Sequence, residues 1–275
     1  MIDQNNKPMP LGKKINYEFK YNPLHLFPIS RKDSRKNLGI TNKIPFTGND
    51  IWNCYEISWL DFSGKPQVAI ARFIFPFNTE NIIESKSIKL YFNSFNQTCF
   101  KSHKDVKQII ARDLSKISKG KVSVSLILPE NFLREQICNY NGILIDNIDL
   151  EIKEYIINPD FLFVCKKHET REKLFSNLLR TNCPVTSQPD WASIIIEYSG
   201  KKIDHKGLLK YLISFREHTG FHENCVERIF MDILRKCSPE KLLVYARFTR
   251  RGGIDINPYR ANYDVVLCDM RFPRQ

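Results

Sequence analysis

Several familiar motifs and segment types are missing from this sequence of 275 residues. It contains no GxGxxG and no GxxxxGK[ST], so neither a dinucleotide-binding Rossmann unit nor a P-loop is supported. No apolar run approaches the ~20 residues that a membrane-spanning helix needs. The N-terminal MIDQNNKPMPLGKK also lacks the apolar core of a signal peptide. These absences predict a cytoplasmic protein without a membrane segment.

The cysteines do not form a metal-binding pattern. There are eight of them, and the closest pair, Cys225 and Cys237, is too far apart for the CxxC knuckle of structural zinc sites. In a reducing cytosol, most are predicted to be small buried hydrophobic residues. No metal is expected.

The positive charge is spread in a way that limits the choice of partner. The net charge is +12, and residues 1–43 carry nine Lys/Arg against three Asp/Glu, which is half of the excess. The remaining basic residues are scattered among acidic ones. A solvated surface or an anionic small molecule explains this as well as RNA does, so direct nucleic-acid binding is not expected.

An internal repeat organises the chain. ESKSIKLYFNSF (84–95) aligns without gaps to DHKGLLKYLISF (204–215). Apolar residues recur at i, i+3, i+4 and i+7 in both, which predicts a helix in each half. A second amphipathic helix is predicted in each half, after Ser102 in the first and after Thr219–Gly220 in the second, these residues being the expected N-caps.

Strand patterns flank both helix pairs. The first half has CYEISWLDF and QVAIARFIF around a turn at 63–66, and later KVSVSLIL and IDLEIKEYII; the second has IIIEY, KLLVYARF and IDI, with EKLFSNLLRT readable as helix or strand. Each half is predicted to be hairpin, two helices, hairpin: an α+β fold with antiparallel sheets. The predicted domains are an arm (1–50), a first unit (51–158) and a second (159–275), with a linker near Asn158-Pro159-Asp160.

The stretch CPVTSQPDWA (183–192) combines a thiol, a carboxyl and two prolines ahead of the strand IIIEY. The prolines fix two φ angles, so Cys183 and Asp190 are expected on a stiffened irregular loop. They are either a nucleophile with its acid/base partner or a buried cysteine with an Asp in a turn.

Three other motifs admit a functional and a structural interpretation. The residues HE at 222–223 are predicted to begin a helix. Either the helix dipole favours an acid at that end, or the two side chains form hydrogen bonds with a heterocyclic ligand. ESKS at 84–87 is either a capping sequence or an anion site. RRGG at 250–253 is either a solvated turn or a phosphate contact. Because the special residues differ between the halves, one composite site is expected rather than two.

Four motifs in order carry a resemblance to a known family: ESKSIKLYFNSFNQT (84–98), NCPVTSQPDW (182–191), GFHENCVERIF (220–230) and YARFTRRGGIDINP (245–258). With these, the chain resembles the long, two-domain form of the NADPH-dependent 7-cyano-7-deazaguanine reductases, the nitrile reductases of queuosine biosynthesis. The resemblance covers essentially the whole chain. One departure is Pro184-Val185, where long-form relatives often have other apolar residues.

This resemblance implies tandem tunnelling-fold (T-fold) units, a homodimer and a reaction. Cys183 would attack the nitrile carbon to form a thioimide, and Asp190 would handle protons. The deazapurine would contact Ile83, Glu84, Ser85, His222 and Glu223. NADPH would contact Ser85, Lys86, Arg251 and Gly252.

Two alternatives to a reductase stay open at this point. One is a cysteine-dependent hydrolase of the same fold, acting on a nitrile or on a purine or pterin ring. A pterin-type cyclohydrolase would want a zinc ligand cluster that the sequence does not offer. The other is a non-enzymatic basic module that binds RNA and serves tRNA modification.

Overall fold

The computed structural model describes residues 19–41, 43–267 and 269–275. The expectations about the N-terminal segment 1–18 and about the cysteine at 268 therefore lie outside the described residues. In the described ranges, no helix has the length and apolar character needed to cross a membrane.

The secondary structure of the described chain follows a strand-rich α+β order. The strands are β1 Pro28–Ser30, β2 Thr47–Leu60, β3 Pro66–Pro76, β4 Asn81–Ile83, β5 Ser123–Ile127, β6 Ile143–Leu144, β7 Val164–Asn182, β8 Pro189–Ile203, β9 Lys241–Phe248 and β10 Ile254–Ala261. The α-helices are α1 Lys32–Asn37, α2 Ser85–Asn93, α3 His103–Ser118, α4 His205–Ile213 and α5 His222–Cys237. The predicted α+β class with antiparallel sheets is confirmed.

Among the described residues, unit 1 is a compact body formed by 19–33, by Ile51–Glu135 and by Arg250–Asp255. Its strands lie in the order β5-β3-β2, with β5 antiparallel to β3. Helix α3 buries Val106, Ile110 and Leu114 completely, one apolar stripe at helical spacing. Each such side chain contributes about 1.5–3 kcal/mol on burial, so this stripe anchors the helix layer of the unit.

Unit 2 contains Ser34–Asp50, Gln136–Thr249 and Ile256–Gln275. Its strands follow the order β10-β9-β8-β7-β6, and all pairs are antiparallel except β6 with β7. The chain runs through the hairpin β7–β8, helices α4 and α5, and the pair β9–β10. This is the predicted succession of hairpin, two helices and hairpin, and the ambiguous EKLFSNLLRT is part of strand β7.

The repeat extends further towards the N-terminus than the sequence analysis recognised. Short 3₁₀ turns at Pro23–His25 and Pro159–Phe161 are N-capped by Asn22 and Asn158. The backbone N–H of Asn22 donates to Ser94 Oγ (3.0 Å), and that of Asn158 donates to Ser214 Oγ (3.4 Å). The related sequences NPLHLF (22–27) and NPDFLF (158–163) are the signal of this shared start.

A buried Tyr–Asp pair joins the two helices in each unit. Tyr91 Oη donates to Asp113 Oδ2 at 2.9 Å, and Tyr211 Oη donates to Asp232 Oδ2 at 2.7 Å. Burial, reinforced by the neighbouring carboxylate, raises the pKa of both phenols well above the usual value, so they stay neutral donors. The pairs occupy equivalent places and confirm the repeat through packing.

Two predicted features are wrong. IDLEIKEYII (148–157) is not a strand: no strand pairs with it in the described chain, and Ile156 is 73% exposed, so its alternating pattern buries no face. The second error concerns the start of α5, whose N-cap is Phe221 rather than Thr219 or Gly220 and provides no side-chain hydrogen bond.

Candidate active site

Cys183 lies at the start of the turn that connects β7 and β8. Its N–H donates to the carbonyl of Gln188 (2.9 Å), and its carbonyl accepts from the N–H of Ser187 (3.0 Å). Ser187 has a φ of +55°, a left-handed conformation that closes the turn. Cys183 is 5% exposed, so the turn holds a buried thiol from both sides of its backbone.

The sequence analysis expected Asp190 on that turn, but the residue lies on strand β8. It pairs with Thr181 of β7 and is 6% exposed. The pairing of β7 with β8 extends as far as Asn182 and Pro189. Pro189 has no N–H group to donate to the sheet, and it is tolerated because it is the first residue of β8. A rigid hairpin, rather than a loop, therefore positions the carboxyl.

Backbone hydrogen bonds tie this hairpin to the segment before α5. The N–H of Asn182 donates to the carbonyl of His218 (2.7 Å), and the N–H of Gly220 donates to the carbonyl of Asn182 (3.1 Å). These bonds place the first turn of α5 beside the residue that precedes Cys183. The hairpin and the helix thus present their side chains to a common region of unit 2.

His222, the first residue of α5, faces Asp190. Its Nε2 lies 3.3 Å from Asp190 Oδ2, and its ring stacks on Phe248 at 3.8 Å between centroids. Its Nδ1 is buried, with no hydrogen-bond partner among the described residues. A buried ring nitrogen without a partner in a native fold calls for an explanation, and a bound ligand is one.

Glu223 and Cys225 complete the group in the first turn of α5. Glu223 is 2% exposed. Burial raises the pKa of Cys225 to about 12, and the charges of Asp190 and Glu223 add to this, which puts the thiol within electrostatic reach of both carboxyls. Cys225 is fully buried, as the sequence analysis predicted for most of the cysteines.

Unit 1 has a counterpart of this hairpin with different chemistry. Leu60 exchanges backbone hydrogen bonds with Thr98 (3.0 Å) and Phe100 (2.9 Å), as Asn182 does with its own neighbours. The place of Cys183 is therefore taken by Asp61. Gln67 stands where unit 2 has Asp190, and its Nε2 donates to Asp61 Oδ2 (2.9 Å). Unit 1 thus has no thiol in the place of Cys183 and no acid in the place of Asp190.

Glu84 caps helix α2 in unit 1. Its two carboxylate oxygens accept from the N–H groups of Lys86 (2.8 Å) and Ser87 (2.7 Å), so the capping interpretation holds. The side chain is 1% exposed, and burial raises its pKa, opposed by these hydrogen bonds and by the charges of Lys86 and Arg251. Ile83, the last residue of β4, is buried beside it. The start of α2 and the RRGG turn are therefore electrostatically coupled.

The RRGG turn depends on its glycines. Arg251 and Ile254 exchange backbone hydrogen bonds of 2.9 and 3.2 Å, and Gly252 and Gly253 have φ of +59° and +76°. A Cβ at Gly253 would collide with the Glu56 side chain, whereas one at Gly252 would meet nothing within 4 Å. Arg250 stacks over Tyr55 of the same unit (4.5 Å). Gly252 thus leaves open space beside a cation.

The predicted site residues fall into one group in each unit. In unit 2 the structure brings together Cys183, Asp190, His222 and Glu223. In unit 1 it brings together Ile83, Glu84, Ser85, Lys86, Arg251 and Gly252.

Comparison with known proteins gives matches over the whole chain. A model described as "Nitrile reductase, 7-cyano-7-deazaguanine-reductase N-term" matches residues 17–126, and one described as "QueF-like protein" matches residues 189–265. Proteins from Desulfotalea psychrophila (53% identical, covering 100% of both chains) and Paraburkholderia xenovorans (52%, covering 97% of this chain and 98% of the relative) are each called NADPH-dependent 7-cyano-7-deazaguanine reductase.

One solved structure, of the archaeosine synthase QueF-Like in the apo form, covers 37% of this chain and 100% of its own at 16% identity. Its TM-score of 0.32 is too low to bear on the fold. Relatives that are more than 50% identical over nearly the whole chain and the two family models together show the family. The chain therefore belongs to the family of NADPH-dependent 7-cyano-7-deazaguanine reductases.

Proposed function

We propose that this protein reduces the nitrile of 7-cyano-7-deazaguanine to the primary amine, 7-aminomethyl-7-deazaguanine, with NADPH as the reductant, in queuosine biosynthesis. The observation that carries the proposal is the group in unit 2. There a buried thiol, a carboxyl and an imidazole are assembled by one hairpin and one helix, in a chain of this family.

Cys183 is the proposed nucleophile. A thiolate adds to the nitrile carbon, forming a carbon–sulfur bond while one π bond of the nitrile opens and the nitrogen takes up a proton. The product is a covalent thioimide. The turn that fixes the cysteine backbone favours this step, because it keeps the sulfur in one place as the substrate binds.

Asp190 and His222 are the proposed proton-handling pair. Their 3.3 Å separation lets the carboxylate hold the imidazole in one orientation, while the stacked Phe248 ring fixes its plane. Each reduction step places a proton on the former nitrile nitrogen, so a nearby group must deliver it. Between the two steps the carbon–sulfur bond breaks, which leaves an imine and returns the Cys183 thiol. We assign that delivery to Asp190.

Glu223 is proposed to accept hydrogen bonds from the N–H groups of the deazapurine. Glu223 is buried in the first turn of its helix. A buried carboxylate suits this role because an amide or amine edge needs strong acceptors.

Lys86 and Arg251, with Ser85 and Gly252, are proposed to hold phosphate groups of NADPH. Two cations that both act electrostatically on Glu84, and the open space at Gly252, fit an anionic ligand. When bound, NADPH supplies the two hydrides that the conversion of nitrile to amine requires.

Two finer parts of the proposal, a homodimer and a cytoplasmic location, are supported by the family resemblance. The test of the function is to mix protein, nitrile and NADPH and follow the cofactor absorbance together with the product by mass spectrometry. Oxidation of NADPH with formation of the amine is expected. An amide or acid formed without NADPH oxidation would instead identify a hydrolase.

A further inference from the structure

Three arginines surround one indole in unit 2. The guanidinium carbons of Arg180 and Arg216 each lie 5.7 Å from the ring centroid of Trp191, and that of Arg274 lies 5.9 Å from it. Arg180 and Trp191 are direct partners in the β7–β8 register, so they share a face of the hairpin. These four residues are called the Trp191 cluster.

The positive charge of the cluster is not balanced within the described chain. None of its arginines forms a salt bridge there, and their side chains donate only to the carbonyl of Arg216, to Asn182 Oδ1 and to the carbonyl of Asn177. Each guanidinium has five N–H donors, and the Nε of Arg180 is buried with no acceptor. Like charges this close repel one another, so a bound anion would stabilise the arrangement.

The cluster adjoins the reacting groups along both strands. Arg180 donates to the side chain of Asn182 (3.1 Å), and the next residue is Cys183. On the opposite strand, Trp191 directly follows Asp190, and because successive strand residues alternate, its side chain points to the opposite face of the hairpin from the carboxyl. Arg180, Arg216 and Trp191 are half-buried and Arg274 is exposed, so the cluster is open to a ligand.

We propose that the Trp191 cluster binds a phosphate group of the nicotinamide dinucleotide. This inference rests on the proposed function, in which NADPH would supply hydride to the nitrile carbon of a substrate bound at Cys183. The deazaguanine nitrile has no phosphate, whereas the cofactor has a pyrophosphate and a 2′-phosphate. Guanidinium groups match phosphate oxygens in a bidentate manner, and the indole keeps them in place through cation–π contacts.

The test is a calorimetric titration of the full chain with two probes, 2′,5′-ADP and inorganic pyrophosphate. The variants are Arg216→Ala and Arg274→Ala, and the second removes an exposed side chain whose loss the fold tolerates. The matched control is Arg171→Ala, nine residues earlier on the same strand and so roughly 30 Å away. We expect both cluster variants to bind at least one probe about tenfold more weakly and the control to bind as the unmodified protein does.

The probe that is affected identifies the phosphate group. Weaker binding of 2′,5′-ADP alone, with a raised KM for NADPH but not for NADH, assigns the 2′-phosphate. Weaker binding of pyrophosphate, with both KM values raised, assigns the bridging phosphates. The proposal is overturned if the unmodified protein binds neither probe, or if both cluster variants keep their affinities within about twofold at an unchanged melting temperature.

Failure of the proposed function is a separate outcome. An unmodified protein that binds the probes but does not oxidise NADPH with the nitrile would overturn the reductase assignment and leave the phosphate site standing. Turnover that is normal in the unmodified protein and unchanged in the cluster variants, with unchanged probe affinities, would defeat only the phosphate site.

Discussion

The Nε2 atom of His222 lies 3.3 Å from Oδ2 of Asp190, and this contact joins the first residue of a helix to the second residue of a strand. The two residues are distant in sequence, and the backbone hydrogen bonds of Asn182 with His218 and Gly220 bring the start of the helix to the hairpin. A strand, a turn and a helix therefore hold the carboxyl, the thiol and the imidazole, respectively, in one group.

The first prediction concerns proton delivery. Asp190→Asn keeps the size of the side chain but cannot cycle a proton, so kcat should fall by about 10²–10⁴. The matched control is Gln67→Asn, at the equivalent place of unit 1, which should leave kcat within about twofold. Stopped-flow or steady-state NADPH oxidation measures both. A loss of less than about threefold in Asp190→Asn would remove the role from this residue.

The second prediction separates the two neighbouring arginines of the RRGG turn. Arg251→Ala should raise the KM for NADPH about tenfold, because a hydrogen bond to a charged group is worth about 1.5–3 kcal/mol. Arg250→Ala, whose side chain packs on Tyr55, should change that KM much less. If Arg251→Ala instead prevents the nitrile from binding in the absence of NADPH, the arginine belongs to the substrate pocket.

The third prediction concerns a buried ion network in unit 2. Glu227 accepts from Arg35 (2.7 and 3.0 Å) and from Arg260 (2.9 and 3.1 Å), and Arg260 also donates to Asp50 (2.8 Å). Burial by itself lowers the pKa of Arg260, but the charges of Asp50 and Glu227 outweigh it and raise the pKa above the usual value. The network thus stabilises a fully buried cation.

Glu227→Gln should lower the free energy of unfolding by about 3–5 kcal/mol, because it leaves buried guanidinium charge uncompensated. Glu151→Gln breaks an exposed pair with Lys153 and should cost less than about 0.5 kcal/mol. Urea unfolding of both variants tests the difference. A loss below about 1 kcal/mol in Glu227→Gln would mean that the network is structurally dispensable.

The fourth prediction is a pH dependence of stability. Burial raises the pKa of Cys54 from its ordinary value of 9.0 to about 12. Between these two pH values the folded state holds the thiol proton more tightly than the unfolded state, so this group's contribution to stability falls as the pH rises from 9 to 12. The gap in unfolding free energy between the unmodified protein and Cys54→Ala should therefore narrow over this window. A gap that stays constant would show that the thiol titrates normally.

Much of the fold was predictable because its elements follow simple periods. The helices α2 to α5 have apolar stripes at helical spacing, and β2, β3, β8 and β9 are rich in β-branched and aromatic residues. The segment 148–157 shows the limit of such patterns. Its residues alternate as in a strand, but a strand exists only where a neighbour supplies hydrogen bonds, and that depends on tertiary structure.

The candidate site was predictable in its residue types and less so in its geometry. The two prolines of CPVTSQPDW suggested a loop, whereas β7 and β8 pair up to the second proline and place Asp190 on a strand. The backbone pairing of Asn182 with Thr219 connects residues that are far apart in sequence, so no local sequence pattern predicts it. The Asn–Pro start of each repeat was visible in the sequence, but its role needed the bonds to Ser94 and Ser214.

The central claim is that Cys183 attacks the nitrile, and intact-mass measurement tests it most directly. The protein is incubated with 7-cyano-7-deazaguanine in the absence of NADPH. We predict a mass increase equal to one nitrile molecule per chain, which disappears in Cys183→Ala while the melting temperature stays nearly unchanged. An adduct that persists in Cys183→Ala, or no adduct in an unmodified protein that turns the nitrile over, would contradict the account.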